Sequence, residues 1–155
     1  MMRNAKQRGF TLLELMVVMV IAGIILGMIS VTAVPGKKQH LEREAKRISS
    51  LLEVARDEAI LRNLPVAIEL DQFAYRFLIR SEQRWIPLKD DLLRERQYDI
   101  SPLTLTLEPA PVQPGQFRIV FGREPVDKPF VLTLQSDAEK ISIRADGIGH
   151  FYVDQ

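Results

Sequence analysis

The chain has 155 residues, of which 46% are hydrophobic, with 21 Lys and Arg against 20 Asp and Glu. This length and composition fit one ordinary domain and exclude an intrinsically disordered chain. No cysteine is present, which excludes disulfides, thiolate metal sites, cysteine nucleophiles and cysteine redox chemistry, and the formal net charge of +1 provides no overall field to attract nucleic acid.

The N-terminal part joins a short basic segment to a long apolar one. Residues 1–9 contain three basic side chains and no acidic one, and residues 10–34 contain only four polar side chains, Thr11, Glu14, Ser30 and Thr32. Because an α-helix rises about 1.5 Å per residue and the bilayer core is about 30 Å thick, roughly 20 apolar residues span it. We therefore predict a transmembrane helix over residues 10–34, with a cytoplasmic N-terminus and an exported C-terminal domain.

A cleaved secretory signal peptide is the alternative interpretation of this segment. Such a signal has an apolar region of about 7 to 15 residues before a small-x-small cleavage site, and residues 15–29 followed by Val31-Thr32-Ala33 fit that description. The order of features favours a retained helix instead. Gly9 precedes the apolar segment, directly after the basic residues, and an acid follows at Glu14.

The sequence KQRGFTLLEL at residues 6–15 resembles the class III signal of type IV pilins and type II secretion pseudopilins. The resemblance implies that a membrane-embedded prepilin peptidase cuts between Gly9 and Phe10 on the cytoplasmic side and methylates the new amino group of Phe10. The leader peptide would then be residues 1–9, and the mature chain would keep its apolar helix and have 146 of the 155 residues.

Glu14 is an acid in a segment that is otherwise apolar. A carboxylate at the centre of a membrane helix costs about 2.5–3.5 kcal/mol, so such a residue is functional by default. A local role is available, because Thr11 and Glu14 have capping-box spacing and an acid in the first turn suits the helix dipole. The family resemblance implies a second role, in which Glu14 pairs with the amino group of Phe10 on a neighbouring subunit. The two roles are compatible, and the membrane cost favours subunit registration as the main one.

Beyond Pro35-Gly36, which should bend or break the helix, a second apolar pattern begins. One helical stripe is formed by Leu41, Ala45, Ile48, Leu52, Ala55 and Ala59, and Leu51, Val54 and Leu61 are expected to widen it. Charged residues occupy the other faces, and Leu64-Pro65 ends the pattern. We predict an amphipathic periplasmic helix over residues 35–64 whose stripe packs on the protein's own sheet.

Residues 65–155 alternate apolar and polar side chains in short segments separated by turn residues, which predicts strands. The predicted strands are residues 66–70, 74–80, 83–86, 103–107, 117–121, 130–134, 140–144 and 150–153, with a tight turn at Asp146-Gly147. Residues 89–96 are predicted to form a loop or one helical turn, and the proline-bearing residues 108–115 and 122–129 to form mobile loops. The fold class is therefore α+β, with an antiparallel β-sheet domain over residues 65–155.

This region resembles the H-type minor pseudopilin of type II secretion in Phe121-Gly122, in residues 129–134 (PFVLTL), and in residues 146–149 (DGIG). Residues 85–88 and 90–93 also match, whereas Gly122-Arg123-Glu124-Pro125 departs from the expected loop. The resemblance implies a type IV pilin-like fold and a structural subunit near the tip of the filament that drives export of folded proteins. It also implies an inner-membrane location, and as partners the other minor pseudopilins, the major pseudopilin, the prepilin peptidase and the inner-membrane assembly platform.

The sequence contains no recognisable catalytic or metal-binding set. The two histidines, His40 and His150, are far apart, and neither Asp90-Asp91 nor Asp146 belongs to a dense run of oxygen ligands. Gly147-x-Gly149 lacks the third glycine of a dinucleotide fingerprint. We therefore expect a protein that is not an enzyme and uses no metal or cofactor.

The alternative function is that of a type IV minor pilin that binds DNA in an uptake system. Basic and aromatic side chains alternate at Arg76, Arg80 and Arg84 and at Tyr75, Phe77 and Trp85, as a stacking surface for single-stranded nucleic acid would require. However, removal of residues 1–9 would leave 18 basic against 20 acidic residues, a side-chain charge of −2. Because phosphate binding needs clustered cations, nucleic acid is not the favoured partner.

Overall fold

The computed structural model describes residues 11–29, 36–111 and 117–154, and the chain divides into two compact units, Met1–Val34 and Pro35–Gln155. The first unit contains helix α1 (Leu12–Ile29) and the second contains helix α2 (Lys37–Arg62). The strands of the second unit are β1 (Val66–Leu70), β2 (Ala74–Ser81), β3 (Arg84–Pro87), β4 (Arg96–Gln97), β5 (Thr104–Glu108), β6 (Phe117–Phe121), β7 (Phe130–Ser136), β8 (Glu139–Ala145) and β9 (Phe151–Asp154).

Helix α1 occupies 18 of the residues predicted to form the membrane helix. Its sequence is almost entirely apolar, and the large side chains from Leu12 to Ile21 are exposed around the helix. Residues 10 and 30–34 of the predicted span lie outside the described residues. Within the described ranges, no helix reaches the combination of length and apolarity that a membrane crossing requires.

Helix α2 buries the stripe that its sequence predicts. All six residues of the predicted stripe are fully buried, and Leu51 is buried beside them. The prediction was wrong for Leu61, which is 80% exposed, because it follows Ala59 by two residues and therefore lies about 200° around the helix from it. The helix ends at Arg62, where Asn63 adopts a left-handed conformation with φ 53° and donates its N–H to the helix carbonyls.

The predicted antiparallel sheet is divided into two sheets. The first has the order β3-β2-β1-β6, with β4 also paired to β2, and the second has the order β5-β7-β8-β9. Every strand pair is antiparallel. The division arises because β6 pairs with β1 instead of with β5, so that the chain changes sheets between these two strands.

The core lies between α2 and the two sheets. Helix α2 contacts β1 and β6 of the first sheet and β7, β8 and β9 of the second. Tyr75, Phe77 and Ile79 of β2 share one buried face, as their alternation predicts. The second sheet adds the fully buried Leu132, Leu134, Ile141 and Ile143. The prediction that the α2 stripe closes the sheet domain is therefore confirmed.

Two predicted loop segments contain sheet residues. Arg96, placed by the sequence in a loop or turn, forms β4 with Gln97 and pairs with Tyr75 of β2. Glu108, predicted to begin a mobile loop, is the last residue of β5 and lies opposite Val131. Both errors arise because pairing to a distant strand overrides weak local strand propensity. Residues 112–116 of the predicted loop lie outside the described residues.

Replacement of Leu52 by Ala should lower the free energy of unfolding of the second unit by about 2–5 kcal/mol, since it leaves a cavity in a closed core. Leu61→Ala is the matched control, because it removes the same atoms from an exposed site of the same helix and should change stability by less than about 0.5 kcal/mol. Urea unfolding of the full chain in detergent, followed by the fluorescence of its single tryptophan, Trp85, measures both. Equal losses in the two variants would contradict the described packing of α2.

Candidate functional site

Glu14 lies in the first turn of α1. Its backbone N–H donates to the Thr11 hydroxyl, with a distance of 3.3 Å from Glu14 N to Thr11 Oγ1, and the Leu15 N–H donates to the Thr11 carbonyl at 3.2 Å. Thr11 therefore caps α1, as the capping-box spacing predicts. The Glu14 side chain is exposed and forms no ion pair with any described residue, so its carboxylate is available to a partner.

The surroundings of Glu14 are apolar. Leu12, Leu15, Met16, Met19 and Val20 line a shallow apolar groove along α1, and the remaining faces are also apolar. A helix that is apolar on every side is stable only inside a large protein core or a membrane. The geometry of α1 therefore calls for burial by partners outside this unit. The other two predicted site residues, Gly9 and Phe10, lie outside the described residues.

In the second unit, two loops are hydrogen-bonded to the same arginine of α2. Arg56 of α2 donates from Nη2 to the Ile148 carbonyl at 3.2 Å and also to the Pro125 carbonyl. Its side chain is only 14% exposed, so the guanidinium joins α2 to the β6–β7 loop (residues 122–129) and to the β8–β9 turn (residues 146–150). The sequence pattern predicts only that Arg56 lies on a polar face of α2, and no local pattern signals its contacts.

The β6–β7 loop is held by further hydrogen bonds. The Asp127 N–H donates to the Gly147 carbonyl at 2.8 Å, and the Asp127 carboxylate accepts from the Gly122 N–H at 3.1 Å. Asp127 therefore bonds the loop both to the β8–β9 turn and to its own first residue. The first of these bonds brings the loop beside the DGIG turn predicted from the sequence.

Asp146 organises the β8–β9 turn. Its carboxylate accepts from the Ile148 N–H at 2.8 Å, from the His150 N–H at 3.1 Å, and contacts His150 Nδ1 at 2.7 Å. Although partial desolvation opposes the shift, these backbone donors and the imidazole lower the pKa of Asp146 to about 2. Asp146 is thus ionised at neutral pH. The tight turn predicted here is confirmed, with positive φ angles at Gly147 and Gly149.

The surface proposed for nucleic acid is not assembled. Tyr75 and Phe77 are 1% and 2% exposed, so neither ring can stack on a base. Arg76 is paired with Glu69 at 2.7 Å, and the indole of Trp85 lies 5.5 Å from the Arg118 guanidinium. Among the described residues, no cluster of three or more His, Asp and Glu side chains could hold a metal ion.

Models of known protein families match two segments of the chain. Residues 4–30 match the prokaryotic N-terminal methylation motif. Residues 44–149 match the model of the type II transport protein GspH. The chain belongs to the GspH family. This is the family of minor pseudopilins, structural subunits that act with other components of the type II secretion system, as the sequence resemblance implied.

Similar proteins agree with membership in the GspH family. Type II secretion system protein H of Pseudomonas aeruginosa is 35% identical over 133 residues, which cover 83% of this chain and 76% of that protein. The protein of the same name from Escherichia coli strain K12 is 32% identical over 139 residues, covering 83% and 81%.

Solved structures of GspH-type pseudopilins share the fold. The minor pseudopilin EpsH of Vibrio cholerae superimposes with a TM-score of 0.58 at 18% identity, over 74% of this chain and 96% of that chain. The solution structure of Escherichia coli GspH gives a TM-score of 0.60 at 24% identity, over 76% and 89%. The predicted α+β, type IV pilin-like fold is therefore confirmed.

Gly149→Ala should destabilise the β8–β9 turn and its contact with Arg56. Gly149 has a φ of +110°, and an added Cβ would lie 2.6 Å from Arg56 Nη1. We expect a loss of about 1–3 kcal/mol in the free energy of unfolding. Gly122→Ala is the control, because its added Cβ meets nothing closer than 3.6 Å. Urea unfolding compares the two variants. If Gly122→Ala proved as damaging as Gly149→Ala, the close approach of Arg56 to the turn would not be the cause.

Proposed function

We propose that this minor pseudopilin is anchored in the inner membrane by a retained N-terminal helix and occupies the tip of the periplasmic filament of type II secretion. The observation that carries the proposal is the pairing of a methylation motif over residues 4–30 with an α1 that is apolar on every side and has one acid in its first turn. Such a helix needs lipid first and the helices of other subunits later.

Processing would take place at Gly9 and Phe10. Cleavage between them by the prepilin peptidase removes the three basic residues of the leader and leaves an amino group on Phe10, which is then N-methylated. The apolar helix over residues 10–34 stays attached as a single membrane span. The amphipathic helix over residues 35–64 and the β domain over residues 65–155 then stand in the periplasm, as the basic leader on the cytoplasmic side favours.

Glu14 would set the register between neighbouring subunits. Glu14 is four positions after Phe10, which is a rise of about 6 Å along a helix, so a neighbouring helix shifted by about one turn brings its amino group beside the carboxylate. In hydrocarbon, an unpaired acid is costly and a paired one is much less so. The pair therefore favours one axial offset over others, which an apolar surface alone does not do.

The filament then works mechanically. Subunits taken from the inner membrane by the assembly platform stack below the tip, and the growing rod pushes folded proteins towards the outer membrane. The partners are the other minor pseudopilins and the major pseudopilin. Val126 and Ile148 are exposed within the two loops that Arg56 joins, and they are available for contact with a neighbouring subunit or with cargo.

The mass of the mature protein tests the processing step. Intact-mass spectrometry of the chain extracted from inner membranes should give a product of 146 of the 155 residues that starts at N-methylated Phe10. Gly9→Val should give the uncut chain, because the peptidase would meet a branched side chain at the cleavage position. A soluble product starting after Ala33 would support a cleaved secretory signal instead.

Substitution of Glu14 tests registration. Glu14→Leu should still insert into the membrane, since it removes a cost of up to about 2.5–3.5 kcal/mol, but it should lose cross-linking to neighbouring subunits and impair secretion when it replaces the wild-type chain. Thr11→Ser, which keeps the hydroxyl that caps α1, is the control for local disturbance. Normal secretion by Glu14→Leu would exclude the proposed role of the acid.

A further inference from the structure

A second acid, Glu44 of α2, is fully buried in the periplasmic unit. Its Oε1 accepts from the Asp99 backbone N–H at 3.1 Å and from the Arg47 guanidinium. Its Oε2 is also buried, yet it has no hydrogen-bond partner in the part of the chain that the structure describes. A buried oxygen without a hydrogen-bond partner is rare and costly in a protein interior, so Oε2 requires a further donor.

Two buried tyrosine hydroxyls also lack a hydrogen-bond partner within the described ranges. The rings of Tyr75 on β2 and Tyr98 after β4 lie 5.5 Å apart, centroid to centroid, and neither buried hydroxyl has a partner among the described residues. Burial, reinforced by the negative charge of Glu44, raises the pKa of both phenols even though Arg47 opposes the shift at Tyr75. Both therefore keep their protons at neutral pH, and each O–H needs an acceptor.

Two arginines complete this group. Arg96 lies opposite Tyr75 in the β2–β4 pair, Arg47 approaches the Asp99 carboxylate at 3.7 Å, and the Nε atom of each arginine is buried without a partner in the described residues. We call Glu44, Arg47, Tyr75, Arg96, Tyr98 and Asp99 the Glu44 cluster. Its two acids and two arginines cancel in charge, so the cluster has no excess charge that would attract an ion.

We propose that the Glu44 cluster is an internal hydration site, in which ordered water joins the Tyr75 and Tyr98 hydroxyls to the free oxygen of Glu44. Water both donates and accepts, and buried waters typically make about three hydrogen bonds to polar groups that would otherwise be unsatisfied. Donors and an acceptor without partners, on three different elements, match that requirement. Water can enter beside Arg47 and Asp99, whose side chains are 33% and 52% exposed.

The hydration site would fasten α2 to the segment between β4 and β5. The two-residue strand β4 and backbone hydrogen bonds from Tyr98 to Phe73 and from Leu103 to Gln72 hold this part of the chain to the first sheet. The Glu44 cluster adds a polar link to the helix at the same place. The inference concerns the folded periplasmic unit and does not depend on how the subunit is processed or where it lies in the filament.

The change in melting temperature caused by Tyr98→Phe distinguishes a hydrated cluster from a dry one, because the two predict changes of opposite sign. If water bridges the hydroxyl, its removal takes a partner from that water and from Glu44, and the melting temperature of the full chain in detergent should fall by roughly 2–4 °C. If the cluster is dry, removal of an unsatisfied hydroxyl should raise the melting temperature. Tyr152→Phe, on an exposed ring of β9, is the matched control and should leave it unchanged.

A crystal structure of the full chain, at a resolution that shows ordered water, tests the same site without any substitution and covers the case in which a variant fails to fold. Water within hydrogen-bond distance of Tyr98 and of Glu44 Oε2 would support the inference. A direct hydrogen bond from a tyrosine to Glu44, a bound ion, or an increase in the melting temperature of Tyr98→Phe would overturn it.

Discussion

The second unit depends on the burial of one face of α2 against two sheets at once. Neither sheet has a core of its own, because the apolar faces of both are turned towards the same helix. Ile48 and Leu52 are fully buried at the middle of that face. Since a displacement of α2 along its axis would unpack both sheets together, the shared core couples the helix to both sheets.

The two described helices differ in whether their apolar side chains are buried. Helix α2 has one apolar face and buries it within its own unit, whereas α1 is apolar on all sides and leaves its side chains exposed. A surface such as that of α1 is stable only when lipid or other helices cover it. Membership in the GspH family points to other components of the type II secretion system as partners, and the role proposed for Glu14 is to align α1 with the helices of such partners.

Polar contacts between distant parts of the chain determine the shape at the two ends of α2. Arg56 draws the β6–β7 loop and the β8–β9 turn to the helix, and Glu44 draws the segment after β4 to it. In the first sheet, Glu69 of β1 lies between Arg76 and Arg118 of the flanking strands. Although partial burial opposes it, the two guanidinium groups lower the pKa of Glu69, so the carboxylate stays charged between them.

The sequence alone determined the features that depend on short-range pattern. The apolar N-terminal segment, the cap at Thr11, the α2 stripe, most strands and the DGIG turn follow from periodicity and turn chemistry. The roles proposed for Gly9, Phe10 and Glu14 rest on a local motif. The burial of Glu44 could also be predicted from the sequence, because it lies three residues after Leu41 and four before Ile48, on the buried stripe. Only the tertiary structure decided the division into two sheets, the pairing of β4, the contacts of Arg56 and the burial of Tyr75 that removed the nucleic-acid surface. The physical reason is that these depend on contacts between residues far apart in the chain, whose energies a local pattern does not contain.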